Sequence, residues 1–222
     1  MSDLDNPSKV LCANCNNELK KSDKVKIDAD KLEIYIDRKQ KITFDRLDKL
    51  LRTVEKSNLA TFRRVNFFYD VNQNDPDIDE LELRTARFLG SLPQLQTLHL
   101  QRFASTGRLL QQTIAEATVT SFRELKTVIW DTDRSRLDEL LPLWMFPVEH
   151  IEVKVKEPVS WPGQHWPAPT YSLKRLNLHR SSITDRTLGK LLSLSPCLEL
   201  LRYDHLCHAD CKLSSFFGLC LV

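Results

Sequence analysis

One short apolar pattern, repeated seven times, constrains this chain more than any other feature of it. With L standing for any apolar residue, the template is L-x-x-L-x-L. It is clearest at Leu173-Lys-Arg-Leu176-Asn-Leu178, which continues through His179, Arg180, Ser181 and Ser182 to Ile183. Six-residue copies also begin at Ala29, Phe62, Leu95, Leu125, Val148 and Leu198. The starts at 29, 62, 95, 125, 148, 173 and 198 give spacings of 33, 33, 30, 23, 25 and 25 residues. A pattern recurring at 20–50 residues marks an array of like units, each too small to bury its own apolar faces.

The stretches between the copies have helical periodicity instead. Leu47, Leu50, Leu51 and Val54 form one stripe; Leu137, Leu140, Leu141 and Trp144 a second; Leu188, Leu191 and Leu192 a third. Ile78, Leu81, Thr85, Phe88 and Leu89 are a weaker version, as are Leu110, Ile114 and Ala117. Strand, turn, helix and next strand make one unit. Stacked, such units predict an α/β solenoid, a horseshoe-like arc with a parallel sheet of about seven strands on its concave side and helices on its convex side. The organisation expected is an N-terminal cap or remnant helix at 1–28, the solenoid at 29–204, and a C-terminal cap or truncated tail at 205–222. One unit departs. Pro158, Pro162, Pro167 and Pro169 forbid a helix after the copy at 148, so an extended loop is expected there. Its Trp161 and Trp166 either cover the sheet in place of a helix or form an aromatic-proline recognition loop.

Glycine removes several enzyme classes. Ordinary usage near 7% predicts roughly 15 glycines in such a chain, and there are 5, at 90, 107, 163, 189 and 218. None is close to another, so no dinucleotide fingerprint, P-loop or nucleophile elbow exists, each of which needs clustered glycines. Lys+Arg 32 against Asp+Glu 30 gives a net charge of +2, which offers no bulk attraction to nucleic acid or a membrane surface. The polar, acidic start lacks the apolar core of a secretory signal. The longest apolar run, residues 216–222, is far short of the about 20 residues a membrane span needs. Six cysteines in 222 residues are too few for a disulfide scaffold and favour a reduced cytoplasmic or nuclear setting.

The stretch 173–203 resembles leucine-rich repeats of the cysteine-containing type. The likeness rests on Ile183-Thr-Asp-Arg-Thr-Leu188 followed by Leu191-Leu-Ser-Leu-Ser-Pro196-Cys-Leu198-Glu-Leu-Leu201. Leu89-Gly-Ser-Leu-Pro93-Gln-Leu95 looks like the same hinge. Such repeats are typical of F-box/leucine-rich-repeat proteins, including a divergent fungal group with irregular spacings, and the likeness covers roughly residues 29–204. It implies a non-catalytic protein-binding module, with substrate recognition in an SCF-type ubiquitin ligase as the role. The F-box that normally precedes such repeats has no match in the 28 residues before the first copy; 12–20 could be the last helix of one.

Three tempting sites are weaker than their composition suggests. Cys12-x-x-Cys15 and the group His205, Cys207, His208 and Cys211 have zinc-binding side chains. Six strand spacings of about 4.8 Å would separate them by roughly 29 Å, against metal–ligand bonds of about 2.0–2.3 Å, so no metal is expected. Asp75-Pro-Asp77-Ile-Asp79-Glu80 opens like a calcium loop but has Glu80 and Ala86 where Gly and Glu are required. It reads better as the acidic start of a helix. There is no H-E-x-x-H, and nothing suggests a catalytic triad.

Period-2 alternation sends the third, fifth and seventh residues of each copy to the concave face. That face is expected to bind a protein partner, through Tyr35, Arg64, Phe68, His99, Ile129, His150, Arg175 and His179. Exposed aromatics and Arg are the usual binding hot spots. No cofactor, nucleic acid or membrane is expected, and the chain reads as a monomer. The alternatives are an enzyme or enzyme regulator on the same scaffold, or a fragment of a longer F-box/leucine-rich-repeat protein.

Overall fold

The computed structural model describes residues 24–36, 44–69, 78–101, 106–117, 121–132, 141–155, 169–179 and 185–203. Eight strands form one sheet: β1 (Lys24–Asp28), β2 (Lys31–Ile36), β3 (Arg64–Tyr69), β4 (Thr97–Gln101), β5 (Thr127–Thr132), β6 (His150–Val155), β7 (Arg175–His179) and β8 (Leu200–Tyr203). Their order across the sheet is their order along the chain. From β2 to β8 every pairing is parallel; only β1–β2 is antiparallel. The chain is therefore α/β with a mostly parallel sheet.

The eighth strand is a departure from expectation. β1 lies in the segment expected as a cap, and only Val25 and Ile27 in it are aliphatic. It forms a hairpin through a two-residue turn in which Ala29 has φ 45°. That left-handed conformation strains any residue with a Cβ, which is why turn-searching by glycine misses it. Cys12 to Lys20, the expected remnant helix, lies outside the described residues.

Among the described residues four helices join the strands: α1 (Phe44–Glu55), α2 (Ile78–Gly90), α3 (Thr106–Glu116) and α4 (Asp185–Ser193). The stripes predict them well. Leu47, Leu50, Leu51 and Val54 of α1 are all buried, as are Leu81, Phe88 and Leu89 of α2. Asp79 and Glu80 lie in the first turn of α2, where carboxylates complement the macrodipole. These helices share one apolar cluster with the alternate strand residues Leu32, Ile34, Val65, Phe67, Leu98, Leu100, Val128, Trp130, Ile151, Val153, Leu176 and Leu178. Arg84 ties α2 to α1 through Asp48, at 2.6 Å, and Glu55, at 2.8 Å. At Gly90 the end of α2 lies tight against the end of α3: a Cβ there would stand 3.1 Å from the Glu116 carbonyl oxygen.

The expected helix through Leu137 and Trp144 is not formed where the chain is described. Leu141–Met145 is a short 3-10 helix, while 133–140 lie outside the described residues. Pro142, which has no N–H to donate to a preceding turn, lies at the start of this segment. The turn still buries Leu143, Trp144 and Phe146. Trp144 Nε1 donates to Ser195 Oγ at 3.1 Å. Trp161 and Trp166, and the prolines up to Pro167, lie outside the described residues.

The units are tied by one recurring backbone device. The carbonyl of the second residue in each copy accepts two N–H groups from the next unit. Thus Asp30 O serves Arg63 and Arg64, Arg63 O serves Gln96 and Thr97, and Gln96 O serves Lys126 and Thr127. The series continues through Lys126, Glu149 and Lys174 to the start of β8. Every connection, despite its different length, thus re-enters the sheet in the same register.

Candidate functional site

The side chains that do not enter the core line the other face of the sheet. Strand pairing aligns them in three rows. The first is Lys31, Arg64, Thr97, Thr127, His150, Arg175 and Leu200. The second is Glu33, Asn66, His99, Ile129, Glu152, Asn177 and Arg202. The third is Tyr35, Phe68, Gln101, Asp131, Lys154 and His179. All but Asn177 are exposed or half-buried, so no described element covers this face. Asp204, expected in the third row, lies outside the described residues.

Two groups form on it. At the β2–β3 end Tyr35 and Phe68 stack with ring centroids 4.1 Å apart and planes inclined by 9°. Tyr35 is 40% exposed, an open aromatic surface. Beside the pair, Lys31 and Glu33 form an ion pair, and a hydrogen bond from Lys31 holds the Glu33 carboxyl below its ordinary range. Arg64 reaches Asp30 in the β1–β2 turn at 2.7 Å, and the same hydrogen bond holds the Asp30 carboxyl low.

The second group is polar and centres on β6 and β7. Glu152 pairs with Lys154 at 2.9 Å and lies 3.6 Å from His179 Nε2. Burial pushes the Glu152 carboxyl up, but the hydrogen bond and charge of Lys154, aided by His179 and His150, overcome it and leave the group below its usual range. His150 Nε2 lies 3.0 Å from the Asn177 amide nitrogen. Burial pushes the His150 imidazole down; Glu152 opposes that, while Arg175 and Arg202 add to it. His99, beside Gln101, is pushed down by burial and then by the charge of Lys154.

The expected residues thus divide. Tyr35 and Phe68 stack, while Arg64, four residues before Phe68 on β3, pairs with Asp30; His150 and Arg175 are level on adjacent strands, and His179 reaches Glu152. His99 and Ile129 occupy the middle strands and join neither group. Asn177, which the period-2 alternation puts on this open face, is nonetheless only 9% exposed, with the His150 ring nitrogen 3.0 Å from its amide. Glu152, Asn177 and Arg202 complete the polar group although composition alone does not mark them out; their row positions do.

Among the described residues no cluster of His, Cys, Asp or Glu is arranged to hold a metal ion. The cysteine and histidine groups at 12–15 and 205–211 lie outside them. No helix among the described residues is long and apolar enough to cross a membrane. Comparison with protein-family models, with curated proteins and with solved structures returned no match.

Proposed function

We propose that this chain is a non-catalytic protein-interaction module: a leucine-rich-repeat solenoid whose open sheet face is its concave, partner-binding surface. The single observation behind the reading is that open face. Seven parallel-paired strands carry unlike side chains in strict rows over a uniformly apolar opposite face. A sheet built this way keeps its fold while one face is rewritten, which suits recognition. Tyr35 and Phe68 supply a rigid aromatic anchor of the kind that dominates binding energies. The resemblance to F-box/leucine-rich-repeat proteins makes the partner a substrate of an SCF-type ubiquitin ligase in the cytoplasm or nucleus. This reading assigns no catalytic residue and no cofactor.

The test is affinity purification with mass spectrometry, which should return cullin-ligase subunits and the bound substrate. Arg64→Ala with Phe68→Ala should weaken capture by about thirtyfold or more, the loss of a hot spot worth about 2 kcal/mol. Folding should persist, because the Arg64–Asp30 pair is exposed and solvent screening leaves such pairs little weight in stability. Lys56→Ala with Lys190→Ala, exposed residues after α1 and on α4, is the matched control. Full capture by the first variant, or loss only with the control, would refute the assignment of the binding face.

A further inference from the structure

Where a 3-10 turn stands in place of a helix, a cavity of about 530 Å³ opens between residues 144–147 and the approach to β7, residues 169–172. Met145 and Tyr171, at 55% and 72% exposure, are the most exposed large hydrophobic side chains among the described residues, and both line it. They come from different units and bring a thioether and a ring to one place. Trp144 lines it too, 2% exposed, its ring fixed by the hydrogen bond from Nε1 to Ser195 Oγ at 3.1 Å. The described lining carries no charged side chain. Its polar side chains are Thr170 and Ser172, whose hydroxyls lie 3.0 Å apart. One O–H donates in that bond, which leaves the other, and free lone pairs, for a ligand. The backbone of the walls offers few donors. Pro147 and Pro169 have no N–H, and those of Phe146 and Thr170 already bond to the carbonyls of Leu143 and Leu194. A mostly apolar cleft with a few placed polar groups, in the range of about 300–1,000 Å³, is the usual form of a small-molecule site.

We propose that this cavity binds a small uncharged aromatic molecule bearing one N–H or O–H group, with its ring against Met145 and Tyr171 and its polar group on the Thr170–Ser172 hydroxyls. Each part of that chemistry follows from the walls. A ring gains a sulfur–aromatic contact from Met145 and a ring–ring contact from Tyr171. A charged ligand would lose its hydration with no opposite charge to meet. An extended peptide would find few N–H groups for its carbonyls, so a free molecule suits these walls better than a strand of a partner. Trp144 is already buried and hydrogen-bonded, so binding has chiefly Met145 and Tyr171 to order, which keeps its entropic cost low. None of these residues belongs to the three rows of the open face. The site therefore goes beyond the partner-binding reading and can succeed or fail without it.

The chain has two methionines, Met1 and Met145, so carbon-13 labelling of the methionine methyls puts a single internal NMR signal at the cavity. Indole, added to the full chain, is the probe. It should shift the Met145 signal saturably, with half-saturation at about 1 mM or below, within the usual yield per ligand atom. Tyr171→Ala, a change at an exposed side chain that leaves the core alone, should raise the half-saturation concentration roughly two- to tenfold, the worth of one aromatic contact. Thr170→Val with Ser172→Ala should weaken indole but leave 1-methylindole, which has no N–H, as it was. Benzoate should not shift the signal at the same concentrations. Arg64→Ala with Phe68→Ala should bind indole normally, which separates this site from the fate of the partner-capture experiment. A Met145 signal unmoved by indole, a shift that never saturates, an equal response to benzoate, or undiminished binding by Tyr171→Ala would overturn the proposal. Tighter binding of an alanine-flanked tryptophan peptide than of indole would also overturn it, by assigning the cavity to a side chain of a partner.

Discussion

Replacing the adjacent residues Leu176 and Asn177 singly by alanine tests the face assignment at its centre. Leu176 is 0% exposed within the apolar cluster, so its truncation removes buried contacts and leaves a cavity, a combination costing about 2–5 kcal/mol. Asn177 is nearly as buried, at 9%, yet its ledger differs. Truncation loses one hydrogen bond to His150, about 0.5–1.5 kcal/mol, and removes an orphaned acceptor whose burial costs about 1–3 kcal/mol. His150 is half-exposed and can regain water. The expected net is therefore no more than about 0.5 kcal/mol of destabilisation. Urea unfolding, read by circular dichroism and by the fluorescence of buried Trp130 and Trp144, measures both. With a slope near 3 kcal/mol/M, Leu176→Ala should move the midpoint by roughly 1–2 M and Asn177→Ala by under about 0.2 M. Equal shifts, or a larger one for Asn177→Ala, would refute the register, because a one-residue slip exchanges the two faces.

Two further outcomes follow from the same structure. His99 and His150 are both held below their ordinary value of 6.5, so the unfolded chain binds protons more readily and stability should fall as pH drops below about 6.5 toward the folded values. Thermal melts at about pH 7.5 and 5.5 should show this, and His99→Gln with His150→Gln should flatten the difference; a wild-type melt unchanged over that range would contradict it. Ala29→Gly should stabilise by about 0.5–1 kcal/mol in denaturant titration, since relief of left-handed strain exceeds the entropy that glycine loses on folding.

The alternation of apolar residues in the strands was enough to place β2 to β8 and to assign their faces, because a parallel sheet covered on one side leaves no freedom in which residues turn inward. Helical stripes were equally readable for α1, α2 and α4. What escaped was set by single residues or by neighbours distant in sequence. β1 has only two aliphatic residues and turns on Ala29, so neither pattern nor turn chemistry announced it. Of another apolar stripe, the described part, Leu141–Met145, is a 3-10 turn that holds Pro142. The near-burial of Asn177 depends on the ring of His150, 27 residues away. Row membership was legible; the pairing inside each row was not.

A sheet whose spatial order matches its chain order can be assembled in the order in which it is synthesised. The β1–β2 hairpin closes over only two residues, and hairpins form within about 1–10 μs, so it is complete as soon as it emerges. Each later strand begins 23–33 residues after the one before, counting from Lys31 to Leu200. At about 5–20 residues per second, each addition waits roughly 1–7 seconds for its strand while a finished edge stands ready to receive it. The growing edge is always the most recent strand, while β1 ends the sheet on its other side. The N-terminal hairpin therefore acts as the seed of the sheet, and its loss should delay every strand that follows, whereas loss of β8 should leave the earlier pairings untouched.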